Sequence, residues 1–258
     1  IITPGVKSSF SFQIINVTGE PVPVMVSAEP LQGAANQSDP LMGWISISAP
    51  DAILQPKQPL IETATISAPV NAEPGGHYST IYVTPLVPAD SLSNQRVQQI
   101  VRVGAMVFGI VKGNIVERES ISGFSSNGYI KQSGPIDFNV RVSNTGNVHL
   151  LSHGDVTIYA NSGKRQASLK LPDTVILPKT TKNIPMSWSN PDALGKYSAV
   201  ARITYGVHHT TLTSDRLTFW VLPWIKYVLY AVILAAILYL TKRTHGRWLR
   251  ALRALRGK

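Results

Sequence analysis

The chain has 258 residues, of which 44% are hydrophobic and 15% charged, with no cysteine and a formal net charge of +10. Lacking cysteine, it has no disulfide, no thiolate nucleophile and no cysteine-based zinc site. The excess of base is confined to one end: 24 bases less Lys226 and the seven from Lys242 onward leave 16 against 14 acids, so nucleic-acid binding is not expected.

In chain order, the first residue is Ile1 with no charged-then-apolar leader behind it, and a processed or trimmed N-terminus is expected. From there to Phe219 the hydrophobic period is two. Phe10, Phe12 and Ile14 alternate with polar neighbours, as do Val22, Val24 and Val26, then Ile136, Phe138, Val140 and Val142, then Ile184, Met186 and Trp188. Each is the pattern of a half-buried strand. Gly, Pro and Asn punctuate the turns, as in "EPGGH", "NSGK" and "NPDALGK", and no helical stripe is sustained before Phe219.

The chain also repeats itself. "FSFQIINVTG" from Phe10 matches "FNVRVSNTGN" from Phe138, "ILQPK" matches "ILPK", and "PGGHYS" matches "ALGKYS", all in the same order. Three ordered matches predict two homologous β-sandwiches, over 1–113 and 114–221, with "KGN" at 112–114 as the hinge. In both copies a tyrosine, Tyr78 and Tyr197, follows a glycine by two residues at the start of a strand. That is the spacing of the tyrosine corner in immunoglobulin-like sandwiches, so both are expected to be structural. The fold class is therefore all-β, two tandem immunoglobulin-like sandwiches, followed by a different kind of segment.

That segment, from Pro223 to Leu240, is apolar apart from Lys226 and predicts a transmembrane helix over 222–241. Trp220, Trp224 and Lys226 are expected at the outer interface. The bases beyond Leu240 predict a cytoplasmic tail over 242–258 and an extracytoplasmic N-terminal part, hence a single-pass protein of the cell membrane. In "RWLRALRALRGK" the arginines Arg247, Arg250, Arg253 and Arg256 lie opposite Trp248 and the leucines on a helical wheel. With Lys242 and Arg243 they predict a basic amphipathic helix on the anionic inner leaflet of the bilayer.

"WISISAPDAILQPKQPLIETATISAPVNAEPGGHYSTIYV", followed by a second sandwich, one span and a basic tail, resembles the WxL-interacting family of bacterial cell-surface proteins, mainly over residues 1–110. The resemblance implies an immunoglobulin-like domain associated with peptidoglycan, a second one that binds a partner, and no catalytic residues.

The residues themselves offer little chemistry. His149 and His153 stand four apart but are bracketed by Gly146 and Gly154, and the neighbouring His208 and His209 would face opposite ways on a strand. There is no HExxH, GxSxG, Walker loop or dinucleotide fingerprint. "NVT" at 16–18 and "NQS" at 36–38 match the glycosylation sequon, read as accidental in a bacterial setting. No catalytic site, metal site or cofactor is expected. The leading expectation is a membrane-anchored protein that contacts cell-wall polymer or another surface protein through its sandwiches, ligands binding on the loops and exposed strand edges of 1–113. The alternative is a structural accessory subunit of a larger envelope complex.

Overall fold

The alternating segments become strands, and the punctuated segments between them become turns. The computed structural model describes residues 1–33, 39–86, 101–128, 130–131, 135–189, 194–222 and 227–242. The first sandwich contains β1 (Lys7–Ile15), β2 (Val22–Pro30), the short helix α1 (Leu41–Trp44), β3 (Ile45–Ile47), β4 (Asp51–Leu54), β5 (Pro59–Ser67), β6 (Gly75–Pro85) and β7 (Val103–Val111). Its two sheets run β1-β5-β3 and β4-β2-β6-β7, every pairing antiparallel.

The second contains β8 (Glu119–Ser126), β9 (Ile130–Lys131), β10 (Ile136–Asn144), β11 (Leu150–Ala160), β12 (Arg165–Ile176), β13 (Thr181–Trp188), β14 (Gly195–Tyr205), β15 (Thr210–Thr213) and β16 (Leu217–Val221). Its sheets run β13-β10-β8 and β12-β11-β14-β16-β9, with β15 on β14. The chain is thus all-β through two sandwich-type domains of immunoglobulin-like kind.

Their interiors differ. In the second sandwich one continuous core joins Ile136, Phe138, Val140 and Val142 of β10 to Val156, Ile158, Ala199, Ala201 and Phe219 across the sheets. Tyr197 stacks on Phe219 at 5.9 Å, with the ring of Trp188 edge-on to Tyr197 at 5.4 Å. The first sandwich divides its core into two smaller clusters, one around Leu41 and Val111 and one around Val26, Ala64 and Ile81.

The repeat is visible at the level of single hydrogen bonds. Asn16 follows β1 and Asn144 ends β10, each inside an Asx turn in which its Oδ1 accepts the N–H two residues on, from Thr18 at 2.9 Å and Gly146 at 2.9 Å. Each Nδ2 donates to a carbonyl four residues on, Glu20 and Val148, and to the last carbonyl of a neighbouring strand, Leu54 and Ile176. Each backbone carbonyl accepts from a lysine held at positive φ, Lys57 (58°) and Lys179 (59°). The strand registers agree too: Phe12 faces Glu62 on β5, and Val140 faces Ile184 on β13.

The sandwiches are joined by bonds as well as by chain. Asn147 donates its Nδ2 to Asn114 O, accepts Val116 N–H on its Oδ1 and receives Gly76 N–H on its backbone oxygen. Ile110 of β7 packs against Val148, Leu150 and Tyr205. Gly75, at φ 133°, has no room for a side chain, because a Cβ there would lie 2.8 Å from Asn147 O.

The expected membrane span is overturned. After the second sandwich the described residues 227–242 are helical and form α2. Among the described residues no helix is long and apolar enough to cross a membrane. With the span at 222–241 go the single-pass topology, the cell-membrane localisation and the cytoplasmic assignment of 242–258. Residues 223–226 and 243–258 lie outside the described residues.

Candidate functional site

Among the described residues no chemical centre emerges from the titratable groups. His149 and His153 do not converge: His149 is half-buried against the rings of Tyr78 and Phe108, and His153 stands exposed on β11. His208 and His209 are exposed in the turn before β15. His77 is buried, with its Nδ1 3.2 Å from Asp39 Oδ1 and its Nε2 2.8 Å from Glu73 O. Burial alone would lower its pKa, but the Asp39 carboxylate and the Glu73 carbonyl hold it above the usual imidazole value. Asp39 also accepts the N–H groups of Leu41 and Tyr78, so the group is a brace between α1 and β6. Beside it, at the joint of the sandwiches, a cavity of about 240 Å³ is lined by Asp39, His77, Asn147 and Lys179, and these polar groups bond within the protein. Among the described residues no three His, Asp or Glu side chains are placed to hold a metal.

Of the residues expected at a membrane interface, Trp220 lies on β16, 47% exposed and paired with Lys196 and Ile130. Lys242 is the last described residue of α2. Trp224, Lys226, Arg243, Arg247, Trp248, Arg250, Arg253 and Arg256 fall outside the described residues. Without a span, nothing supports the expected bilayer contact of the tail.

Tyr78 is buried in β6 and Tyr197 in β14. The Tyr78 hydroxyl accepts the backbone N–H of His149 at 2.7 Å and lies 3.2 Å from His149 Nδ1, a bond that crosses from one sandwich to the other. Burial pushes its pKa well above the usual phenol value, as burial and Tyr227 push that of Tyr197.

What the fold does assemble is an apolar opening in the side of the first sandwich. A cleft of about 530 Å³ runs between the two sheets, with Phe12 and Ile14 of β1 on one wall, Val103 and Ala105 of β7 on the other, and Ile81 and Val83 at its floor. It lies open because β1 and β7 are both edge strands. The first two residues of the chain reach β7 only at its far end, where Ile2 donates to Ile110 O and accepts from Lys112 N–H. Among the described residues nothing pairs with the outer edge of β7 over 103–109, or with the outer edge of β1.

Those two edges also lack the usual protections. β7, "VGAMVFGIV", has no charge and no proline in nine residues, and Val103 and Met106 are 70% and 63% exposed. β1 has one charge, Lys7 at its start. In the second sandwich, edge strand β12 contains Arg165, Lys170, Pro172 and Asp173, and β13 contains Lys182 and Pro185. Charge and proline on an edge discourage pairing with another chain. The absence of both from β7 is legible in the sequence once that strand is known to be an edge, and no motif search would single it out.

No protein-family model matches this sequence. Nor does any curated protein match it. Solved structures with a similar fold include the CupB2 chaperone of Pseudomonas aeruginosa, 11% identical, covering 81% of this chain and 91% of its own with a TM-score of 0.40. The class 5 fimbriae chaperone CfaA is 13% identical, covering 86% of this chain and 95% of its own, TM-score 0.44. The E. coli chaperone DraB is 13% identical, covering 84% and 89%, TM-score 0.38. The likeness is one of fold, and no residue role is taken from it. The expected membership of the WxL-interacting family is corrected: no family model matches, and the similar structures given above are described as chaperones. A membrane-anchored binder of peptidoglycan loses both its anchor and its family basis.

Proposed function

We propose that this chain binds another polypeptide in extended form, as a strand laid into the cleft between β1 and β7, and that its role is binding and not catalysis. The observation that carries this reading is the pair of edges facing an apolar cleft, β7 without charge or proline and β1 with Lys7 alone at its start, where β12 and β13 of the second sandwich carry charge and proline. Strand addition draws its affinity from main-chain hydrogen bonds and its selectivity from alternate side chains entering a pocket. Four or five main-chain bonds at a net ~0.5–1.5 kcal/mol each, with two or three apolar side chains buried, support affinities on the order of micromolar. The partner is thus a protein segment of alternating apolar residues, such as an exposed or unfinished strand of a surface protein.

Titration of the chain into a labelled nine-residue Val-Thr alternating peptide, followed by fluorescence anisotropy, tests this. Saturable binding is expected, with slowed amide exchange on at least one of the two edges. Val103→Lys and Ala105→Lys, which place a charge on the cleft wall, are each expected to weaken binding at least about tenfold. A central proline in the peptide should also abolish it. Binding insensitive to all three, or with neither edge protected, refutes the reading.

A further inference from the structure

The contacts that hold the two sandwiches against each other converge on Asn147, Val148, His149 and Leu150. Asn147 O accepts Gly76 N–H, His149 N–H donates to the Tyr78 hydroxyl at 2.7 Å, and Val148 and Leu150 pack with Ile110. His149 stands in the middle of this set. Its ring lies 5.6 Å from that of Tyr78 and 5.0 Å from that of Phe108, both residues of the first sandwich, although His149 belongs to the second. The half-burial of its imidazole is therefore a product of the docking, and parting the sandwiches would return it to water. The covalent connection is the segment 112–118 between β7 and β8, with one glycine, Gly113, to pivot on.

We propose that the joint is an acid-sensitive hinge: the sandwiches stay docked while His149 is neutral and part, each still folded, when it takes up a proton. The Tyr78 hydroxyl has a single hydrogen. It accepts His149 N–H and lies 3.2 Å from Nδ1, so with a bare Nδ1 it donates there and both groups are satisfied. A protonated Nδ1 is itself a donor. The hydroxyl hydrogen then loses its acceptor, and a full charge sits against two aromatic rings. Among the described residues no carboxylate lies within salt-bridge distance to offset that charge. Of the elements packed on His149, β7 has no titratable residue, and β6 brings Tyr78 and His77, the latter bonded to Asp39. On its own side β11 carries the exposed His153 and Asp155, which accepts from Thr157 and Ser168. The connecting segment carries Lys112, Glu117 and Arg118, of which Glu117 accepts Val207 N–H. Burial is the single cause that lowers the His149 pKa. Docking thus favours the neutral form: it is at full strength above about 6.5 and weakens as pH falls toward the docked value, by up to about tenfold for each unit crossed. His77 does not serve this purpose, because Asp39 and Glu73 belong to its own sandwich and those bonds survive separation.

The chain has no cysteine, so Gln58→Cys and Ser162→Cys, both exposed and one in each sandwich, give two unique spin-label sites. Double electron–electron resonance on the intact chain is expected to show one narrow distance near pH 8 and a second, broad population as pH falls to about 5. Amide exchange, corrected for its intrinsic pH dependence, is expected to quicken at 74–76 and 147–149 and to stay unchanged in β5 and β10. His149→Asn keeps an acceptor for the Tyr78 hydroxyl but takes up no proton, and should hold the narrow distance at both pH values. Tyr78→Phe should broaden the distance already at pH 8, with β5 and β10 still protected. A distribution unchanged between pH 8 and 5 overturns the proposal. So does a pH response that persists in His149→Asn, one abolished instead by His77→Asn, or one accompanied by lost protection of β5 or β10.

Discussion

The paired asparagines give the most direct test of the duplicated design. Asn144→Ala removes two donors and one acceptor from a site 1% exposed, taking the side-chain partner from Val148 O and Ile176 O, while Gly146 N–H keeps its bond to Arg118 O. At roughly 1–1.5 kcal/mol for each of the two carbonyls, the loss comes to about 2–3 kcal/mol. Asn16→Ala removes the same kind of bonds, but Thr18 and Glu20 lie toward solvent, so water can replace part of what is lost and about 2 kcal/mol is expected. Asn144→Asp should be worse than Asn144→Ala at neutral pH, because a carboxylate would then face two carbonyl oxygens. Amide exchange under mild denaturant, read by mass spectrometry on the intact chain, reports each sandwich separately. Each substitution should accelerate exchange only in its own sandwich. A cost for Asn144→Ala below about 1 kcal/mol, or equal losses in both sandwiches from either variant, would show that the asparagines are not the staples described.

Three further outcomes follow from other parts of the fold. Glu119 is buried, with its Oε2 unpartnered and its Oε1 accepting from Ser152, and burial raises its pKa; Glu119→Gln should raise the melting temperature at pH 7, a gain that disappears as the pH falls toward the ordinary carboxyl value of about 4.5. Gly75→Ala forces a Cβ against Asn147 O from a backbone at φ 133°, so it should loosen the joint, seen as faster exchange at 74–76 and 147–149 with both cores unchanged. The histidines oppose each other. His77, raised by its Asp39 and Glu73 bonds against its burial, gives stability that is present below about 6.5 and lost as pH rises through its folded value. His149, lowered by burial, gives stability that is present above about 6.5 and lost as pH falls through its folded value. In urea unfolding across pH 5–8, His77→Asn should flatten the alkaline limb and His149→Asn the acid limb; a swap of the limbs would refute both assignments.

Much of the fold was legible because strand periodicity and burial report the same thing. The alternating runs at Phe10, Val22, Ile136 and Ile184 lie in β1, β2, β10 and β13, and the matched "NVTG" and "NTGN" segments form the same Asx turn. Tyr78 shows where local spacing stops being informative: its neighbours in sequence place it at a strand start, but the partner of its hydroxyl is 71 residues away across the joint. The apolar run after Trp220 was read as a span from its composition, and among the described residues no helix is long and apolar enough to cross a membrane. The cleft was the least legible feature. It lies between two edge strands far apart in the chain, which only the tertiary fold brings together.

The open cleft bears on stability as well. In the second sandwich β8 completes the core, with Ile121 and Phe124 packed against it, while the first sandwich leaves Phe10, Phe12 and Ile14 partly wet and holds its interior in two separate clusters. Apolar surface kept from water contributes about 25 cal/mol per Å², so the first sandwich should be the less stable of the two, exchanging its amides through lower-energy openings. A ligand that binds only the folded first sandwich then adds RT ln(1 + [L]/Kd), about 2.7 kcal/mol at a hundredfold excess over Kd. The effect is selective by construction: saturating peptide should raise protection throughout β1, β5 and β6, and leave β10, β13 and β14 as they were. Equal protection of the two sandwiches without peptide would remove the energetic argument, because it would mean that the open cleft costs the first sandwich nothing.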